Sequence, residues 1–226
     1  ETGGIAKFRI CDTIGDGVPD PHAAMPFGIP KLISTLVKET GAELEFHGHN
    51  DFGLATANSI AAWLYGCKRV NTAYAGLGER TGNTSLEQML AAYIRLYSNP
   101  GFNLEALTEI AALIDTEVAP IPAKQPIIGS DIFFTQAGIH QSGIERQQTA
   151  PGGLIYLPYA PELLGRDSQE LDRIGGLAGM DGIVSVLNRQ VKKTTGEEGK
   201  YTVASRVIKH IYDKVHEAYD GTWDEA

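Results

Sequence analysis

Residues 42–66 read AELEFHGHNDFGLATANSIAAWLYG. The first six residues read as a strand, on which side chains alternate, so that Leu44, Phe46 and Gly48 face one layer while His47 and His49 point the other way. After HND the period changes: Leu54, Ala57, Ile60, Ala61 and Leu64 share one face of a helix that ends at Gly66. The stretch is therefore a strand followed by a helix, with two histidines at the turn. The same unit occurs on both sides. Upstream, KFRIC (7–11) is a strand, and Ile29, Leu32, Ile33, Leu36 and Val37 recur at helical spacing after Pro26 and Pro30 until Gly41. Downstream, VNTAYA (70–75) is a third strand. A glycine-rich turn follows, then Thr84 and Glu87 as a T-x-x-E capping box, then a helix carrying Leu86, Met89, Leu90, Tyr93, Ile94 and Tyr97.

Strands alternating with helices through short connections imply a parallel sheet with right-handed crossovers, either an open doubly wound sheet or part of a (β/α)₈ barrel. Both folds gather chemistry at the carboxyl ends of the strands. Asp12 and Thr13 end the first strand, His47 and His49 the second, and GLGERTGN (76–83) follows the third, so three strand ends converge on one site. Past residue 98 the rhythm stops. A helix over 104–118 is followed by a proline-rich connection, a loop-rich segment (149–166), a short helix near 180–190, the polar run KKTTGEEGK (192–200) and a terminal amphipathic helix with Val203, Val207, Ile211 and Val215.

Composition limits the partners. Nineteen Lys+Arg against 28 Asp+Glu give a net charge of −9, which makes neither nucleic acid nor an anionic membrane an expected partner. No run approaches the roughly 18 apolar residues of a membrane span, and no signal peptide opens the sequence, so a cytoplasmic protein is expected. Cys11 and Cys67 have no metal-type spacing and are too few for a disulfide framework; both are expected to be buried thiols.

Two neutral imidazoles at i and i+2 on a strand are good ligands for a divalent transition metal, and an oxygen ligand from another strand would leave positions open for substrate and water. Taken alone, H-x-H is more often a hydrogen-bonded pair at a strand end; its place beside the other two strand ends favours the metal. Asp12 and Thr13 could both cap the segment that follows, and Asp12 reads as loop support. Glu79 and Arg80 read as an internal ion pair that shapes their loop.

Four segments in matching order, ICDTIGDG (10–17), HGHNDFGLATANSIAAWLYG (47–66), GLGERTGNTSLE (76–87) and AGIHQSG (137–143), resemble the second half of the LeuA-like metal-dependent acyltransferases. This family comprises the 2-isopropylmalate, homocitrate and Re-citrate synthases. PDPHAAMPFGIPKLI (19–33) and GGLAGMDGI (175–183) look most like the Re-citrate branch. The resemblance implies the C-terminal part of a TIM barrel, about three βα units over 1–98, followed by a small, mainly helical subdomain over 99–191, with a linker and terminal helix over 192–226. It implies a Claisen condensation of acetyl-CoA with a 2-oxo acid. His47 and His49 would bind a divalent cation (Zn, Mn, Co or Fe), with Asn83 in or beside the same shell. Thr13 would give its hydroxyl to the carboxylate of the oxo acid. His140 would be the catalytic histidine that a partner subunit inserts over the barrel mouth, making a homodimer or higher oligomer.

Two departures accompany the resemblance. Ser142 stands where relatives usually carry an acid near the catalytic histidine, and the D-R-E-type motif whose acid completes the metal site does not occur here. A closed barrel takes eight units in about 250 residues; the N-terminal half is therefore expected from another polypeptide or a removed segment. A metal-dependent carbon–carbon lyase or decarboxylase on the same scaffold, and a non-catalytic regulatory half-barrel, are the alternatives.

Overall fold

In the computed structural model, which describes residues 7–135, 156–166, 174–176 and 178–219, the alternating stretch around His47 is the middle strand of a three-stranded parallel sheet. β1 (Lys7–Asp12), β2 (Glu43–Gly48) and β3 (Arg69–Asn71) lie in that order, joined through α1 (Ile29–Thr40) and α2 (Ala55–Leu64). The chain is thus α/β with a parallel sheet. α1 begins with Pro30 in its first turn, where a missing N–H costs nothing, and stops at Gly41, whose left-handed backbone (φ 62) lets its N–H reach the Val37 carbonyl.

The two faces of the sheet differ in chemistry. Leu44 and Phe46 of β2 are buried with Ile29 and Ile33 of α1, Ala62 of α2 and Cys67, and Phe8, Ile10 and Val70 pack against them. Burial pushes the Cys67 thiol up to about 11. The opposite face carries Lys7, Arg9 and Cys11 beside Glu43, Glu45 and His47, with Arg69 and Asn71 next along. Glu43 pairs with both Lys7 and Arg69, and Arg9 Nε lies 2.7 Å from Glu45 Oε1. Cys11 is exposed on this face, against the expectation of a buried thiol, because it alternates with Ile10 and Asp12 rather than joining them.

The third strand is shorter than the sequence implies. It ends at Asn71, and the chain turns through a 3₁₀ segment, Tyr74–Gly76. The reason lies in the pairing of Ala73: its N–H donates to the Thr84 carbonyl and its carbonyl accepts from Leu86, so the backbone expected to extend β3 is tied to the start of α3 (Leu86–Tyr97) instead. The cap of α3 is also displaced by one residue. Ser85 Oγ accepts from Gln88 N, whereas Thr84 is buried and its hydroxyl is held by Ser59 at 2.7 Å and by the Ala55 carbonyl. Glu87 is buried and accepts the Ala75 N–H.

α4 (Glu105–Glu117) follows. The chain divides into two compact units, one built on residues 1–103 and 111–129, the other on 104–110 and 130–226. In the second, α5 (Met180–Thr195) and α6 (Arg206–Tyr219) bury Ile183 and Ile208 together, with Leu187, Ile211 and Tyr212 around them. α5 continues through the first four residues of the run expected as a linker, its last-turn Lys192 and Lys193 complementing the helix dipole. The Asn188 side chain closes the α5–α6 connection by bonding both the N–H and the carbonyl of Tyr201 at 2.9 Å. Among the described residues no helix is long and apolar enough to cross a membrane.

Candidate functional site

The loops after β1, β2 and β3 meet at the carboxyl end of the sheet. β2 ends at Gly48, so His47 is the last side chain it directs to the polar face, and His49 follows just beyond. The two rings stand edge to face, centroids 4.9 Å apart, with their Nε2 atoms 3.3 Å from one another. His47 Nδ1 lies 2.9 Å from the Oδ1 of Asn71, its cross-strand neighbour on β3. His49 pairs through its backbone with Asn83 of the third loop. Asn83 donates Nδ2–H to the Leu77 carbonyl at 3.0 Å, while its Oδ1 and the Nδ1 of His49 are buried with no hydrogen-bond partner.

The remaining two residues of HGHND hold loops. Asn50 Oδ1 accepts from Ala55 N at the start of α2, and Asn50 N–H donates to the Gly82 carbonyl. Asp51 receives Arg80 Nε at 2.8 Å and Arg80 Nη2 at 3.0 Å, and the same Nη2 lies 2.8 Å from the Thr13 carbonyl. Arg80 therefore joins all three strand-end loops. Its pairing differs from the expected one: Glu79 is 86% exposed at the side chain and 3.9 Å away, a weak contact in solvent, whereas Asp51 offers both oxygens to the guanidinium fork. That guanidinium holds the Asp51 carboxyl below the usual carboxylate range.

In the first loop, Asp12 is 8% exposed and its Oδ2 accepts the Gly17 N–H at 3.2 Å, the loop support read from the sequence. Burial, with the Asp16 charge nearby, raises its pKa. Gly15 lies in the left-handed region (φ 69) against the His49 carbonyl; a Cβ there would sit 2.8 Å from that oxygen, so this turn can close on the second loop only as glycine. Thr13 is exposed in the same turn. His140 and Ser142 lie outside the described residues.

The donor set fits a divalent transition metal in part. Two imidazole nitrogens that each bind one cation at about 2.0–2.1 Å must sit close to the separation seen here, and the unpartnered Asn83 oxygen opposite His49 is a third donor atom on the same loop cluster. Among the described residues no group of three or more His, Cys, Asp or Glu side chains gathers at one point, so an acidic ligand is not contributed by them.

A family model described as HMGL-like matches residues 1–114, half of the chain and the part that holds Thr13, His47, His49 and Asn83. The chain belongs to the HMGL-like family. Its relatives include the citrate (Re)-synthase of Syntrophus aciditrophicus, 40% identical over 153 residues that cover 66% of this chain and 24% of that protein. The citrate (Re)-synthase of Clostridium kluyveri is 40% identical over 147 residues, 63% of this chain and 32% of the relative. The homocitrate synthase AksA of Methanothermobacter thermautotrophicus is 35% identical over 167 residues, 73% and 40%. The chain thus spans about a quarter to two fifths of the length of these relatives. The resemblance to LeuA-like acyltransferases is borne out, as is the similarity to the Re-citrate synthases.

Within this HMGL-like chain, sequence reasoning missed Asn71 and the Asp51–Arg80 pair. Asn71 was accessible: strand order places β3 beside β2, and alternation puts Asn71 on the face of Arg69, level with His47. The Asp51–Arg80 contact depends on a left-handed Arg80 backbone (φ 56) that no spacing rule reveals.

Proposed function

We propose that this chain forms part of a metal-dependent synthase that condenses acetyl-CoA with a 2-oxo acid, of the Re-citrate, homocitrate or isopropylmalate type. The observation that carries this reading is the pair of Nε2 atoms facing each other at 3.3 Å at the carboxyl end of β2, beside the Thr13 and Asn83 loops. His47 and His49, with Asn83 beside them, would hold a divalent cation, which when bound would supply Lewis acidity toward the keto oxygen of the oxo acid. Thr13 offers its hydroxyl to the substrate carboxylate and so orients the keto carbon. A base takes one proton from the acetyl methyl, the carbon so freed bonds to the keto carbon, and the former keto oxygen is protonated to a hydroxyl. Hydrolysis of the thioester then releases CoA. His140 is the imidazole assigned to the proton transfer or to stabilising the developing oxyanion. The names of the curated relatives, citrate (Re)-synthase and homocitrate synthase, support this reaction class over a lyase on the same scaffold.

The three βα units belong to a barrel whose other strands come from another polypeptide or from a removed segment of this one, in an assembly that is a dimer or higher oligomer. The charged sheet face supports this over a doubly wound sheet, because a second helical layer needs an apolar surface to pack on and Lys7, Arg9, Glu43, Glu45 and Arg69 offer none. The test is release of free thiol from acetyl-CoA by the complete assembly, given oxaloacetate, 2-oxoglutarate or 2-oxoisovalerate in turn. Release with one of them, abolished by chelation and restored by Mn²⁺, Co²⁺ or Zn²⁺, is expected. No release with any oxo acid, together with cleavage of a 3-hydroxyacyl-CoA, would assign the site to the lyases.

A further inference from the structure

Resting on the reading of His47 and His49 as metal ligands, we infer that Asn71 is a positioning residue that fixes His47 with its ring proton on Nδ1 and its Nε2 lone pair aimed at the shared site. Asn71 faces His47 directly across the β2–β3 pair, and its Oδ1 lies 2.9 Å from His47 Nδ1. An amide oxygen only accepts, so that bond places the proton on Nδ1 and leaves Nε2 unprotonated. The second ring makes this matter. His49 Nε2 is 3.3 Å from His47 Nε2, and two ring N–H groups pointed at each other would repel, so one of the nitrogens must present a lone pair. The Nδ1 of His49 is buried without a hydrogen-bond partner in the structure and fixes no tautomer of its own. The tautomer of the pair is therefore set from the His47 side, by a residue placed on the same rigid sheet. An imidazole held this way has its basic nitrogen already oriented, and its partner's lone pair raises its basicity toward a cation.

Two measurements on the intact assembly, carried out with histidine-labelled protein, separate this role from simple packing. Long-range ¹H–¹⁵N correlation of the metal-free protein reports the tautomer of His47 directly, with Nδ1–H expected in the parent and a mixed or Nε2–H form in Asn71→Leu. Titration with Co²⁺ or Zn²⁺ against a competing chelator follows, with His47→Ala as the reference lacking one ligand. Asn71→Leu, close in volume but without an acceptor, is expected to bind about 10–100-fold more weakly. Asn71→Asp, which keeps the acceptor, is expected to restore both the tautomer and the affinity. Equal affinity of the parent and Asn71→Leu, or an Nε2–H tautomer of His47 in the parent, overturns the inference while leaving the metal site standing. Failure of the parent itself to bind Co²⁺ or Zn²⁺ overturns the metal reading and the inference together, and the parent titration alone reveals it.

Discussion

Asp12 and Thr13 are adjacent in sequence and take opposite environments. The Asp12 carboxyl is turned under the loop, where burial raises its pKa and the Gly17 N–H is its bond; Thr13 stays exposed with only its carbonyl engaged. A carboxyl whose folded pKa exceeds its unfolded value is stabilising only when protonated, so its contribution is fully present below the unfolded pKa and is lost as pH rises through the folded one. At neutral pH Asp12 is thus a charged group held against its solvation. Asparagine in its place keeps an oxygen to accept from Gly17 and carries no charge. Asp12→Asn is therefore expected to match or exceed the parent in urea midpoint at pH 7, and to lose that advantage near pH 4, when both midpoints are measured on the assembled protein. A lower midpoint at pH 7 would mean that the charge itself, and not the oxygen, holds the loop.

The loops that follow the three strands are separate in sequence and depend on one side chain to act together. Arg80 bonds Asp51 with both nitrogens of its fork and reaches the Thr13 carbonyl, contacts that a lysine ammonium on a flexible stem cannot reproduce at once. Because the pair is largely at the surface, Arg80→Lys is expected to leave global stability nearly unchanged. Its effect is local: the amides of His49 and Asn50, which bond the Asp12 and Gly82 carbonyls of the neighbouring loops, are expected to exchange with solvent about tenfold faster. Unchanged protection of those amides would show the guanidinium contacts to be idle. Asp51, held below the ordinary carboxylate range, keeps its side of the clamp at every pH above its unfolded value and releases it only as acid brings the pH through the folded one. These elements also divide what the sequence makes legible from what it conceals. Strand alternation and helix periodicity located β1, β2, α1 and α2 and the facing of His47, since both patterns follow from backbone geometry alone. The end of β3 and the cap of α3 were not legible, because Thr84 and Ser85 are equally good caps by type and only the buried bonds of Thr84 to Ser59 and Ala55 decide between them.

Among the described residues the sheet presents β1 as an edge, and beside that strand lies a pocket of about 220 Å³ walled by Ile10, Phe27, Ile29, Leu32 and Phe46. Phe27 and Met25 stand 49% and 47% exposed near it. An unpaired edge strand with apolar side chains alongside is a surface that recruits another chain, and charged residues on the sheet face only partly guard against wrong pairing. In a barrel both problems vanish, since closure pairs the edge and the neighbouring βα unit covers the pocket. The consequence is measurable. Produced alone, residues 1–226 are expected to elute from a sizing column as a broad distribution of associated species, with light scattering well above the 24.3 kDa of one chain and with strong binding of an apolar dye. Supplying the remaining strands, as a second polypeptide or as part of one longer chain, is expected to collapse that distribution to one discrete particle, quench the dye and sharpen the thermal transition. If the 226 residues instead ran as a single monodisperse monomer with a cooperative melt, the edge of β1 would need no partner, and the site at the ends of the three strands would have to work with the ligands this chain alone provides.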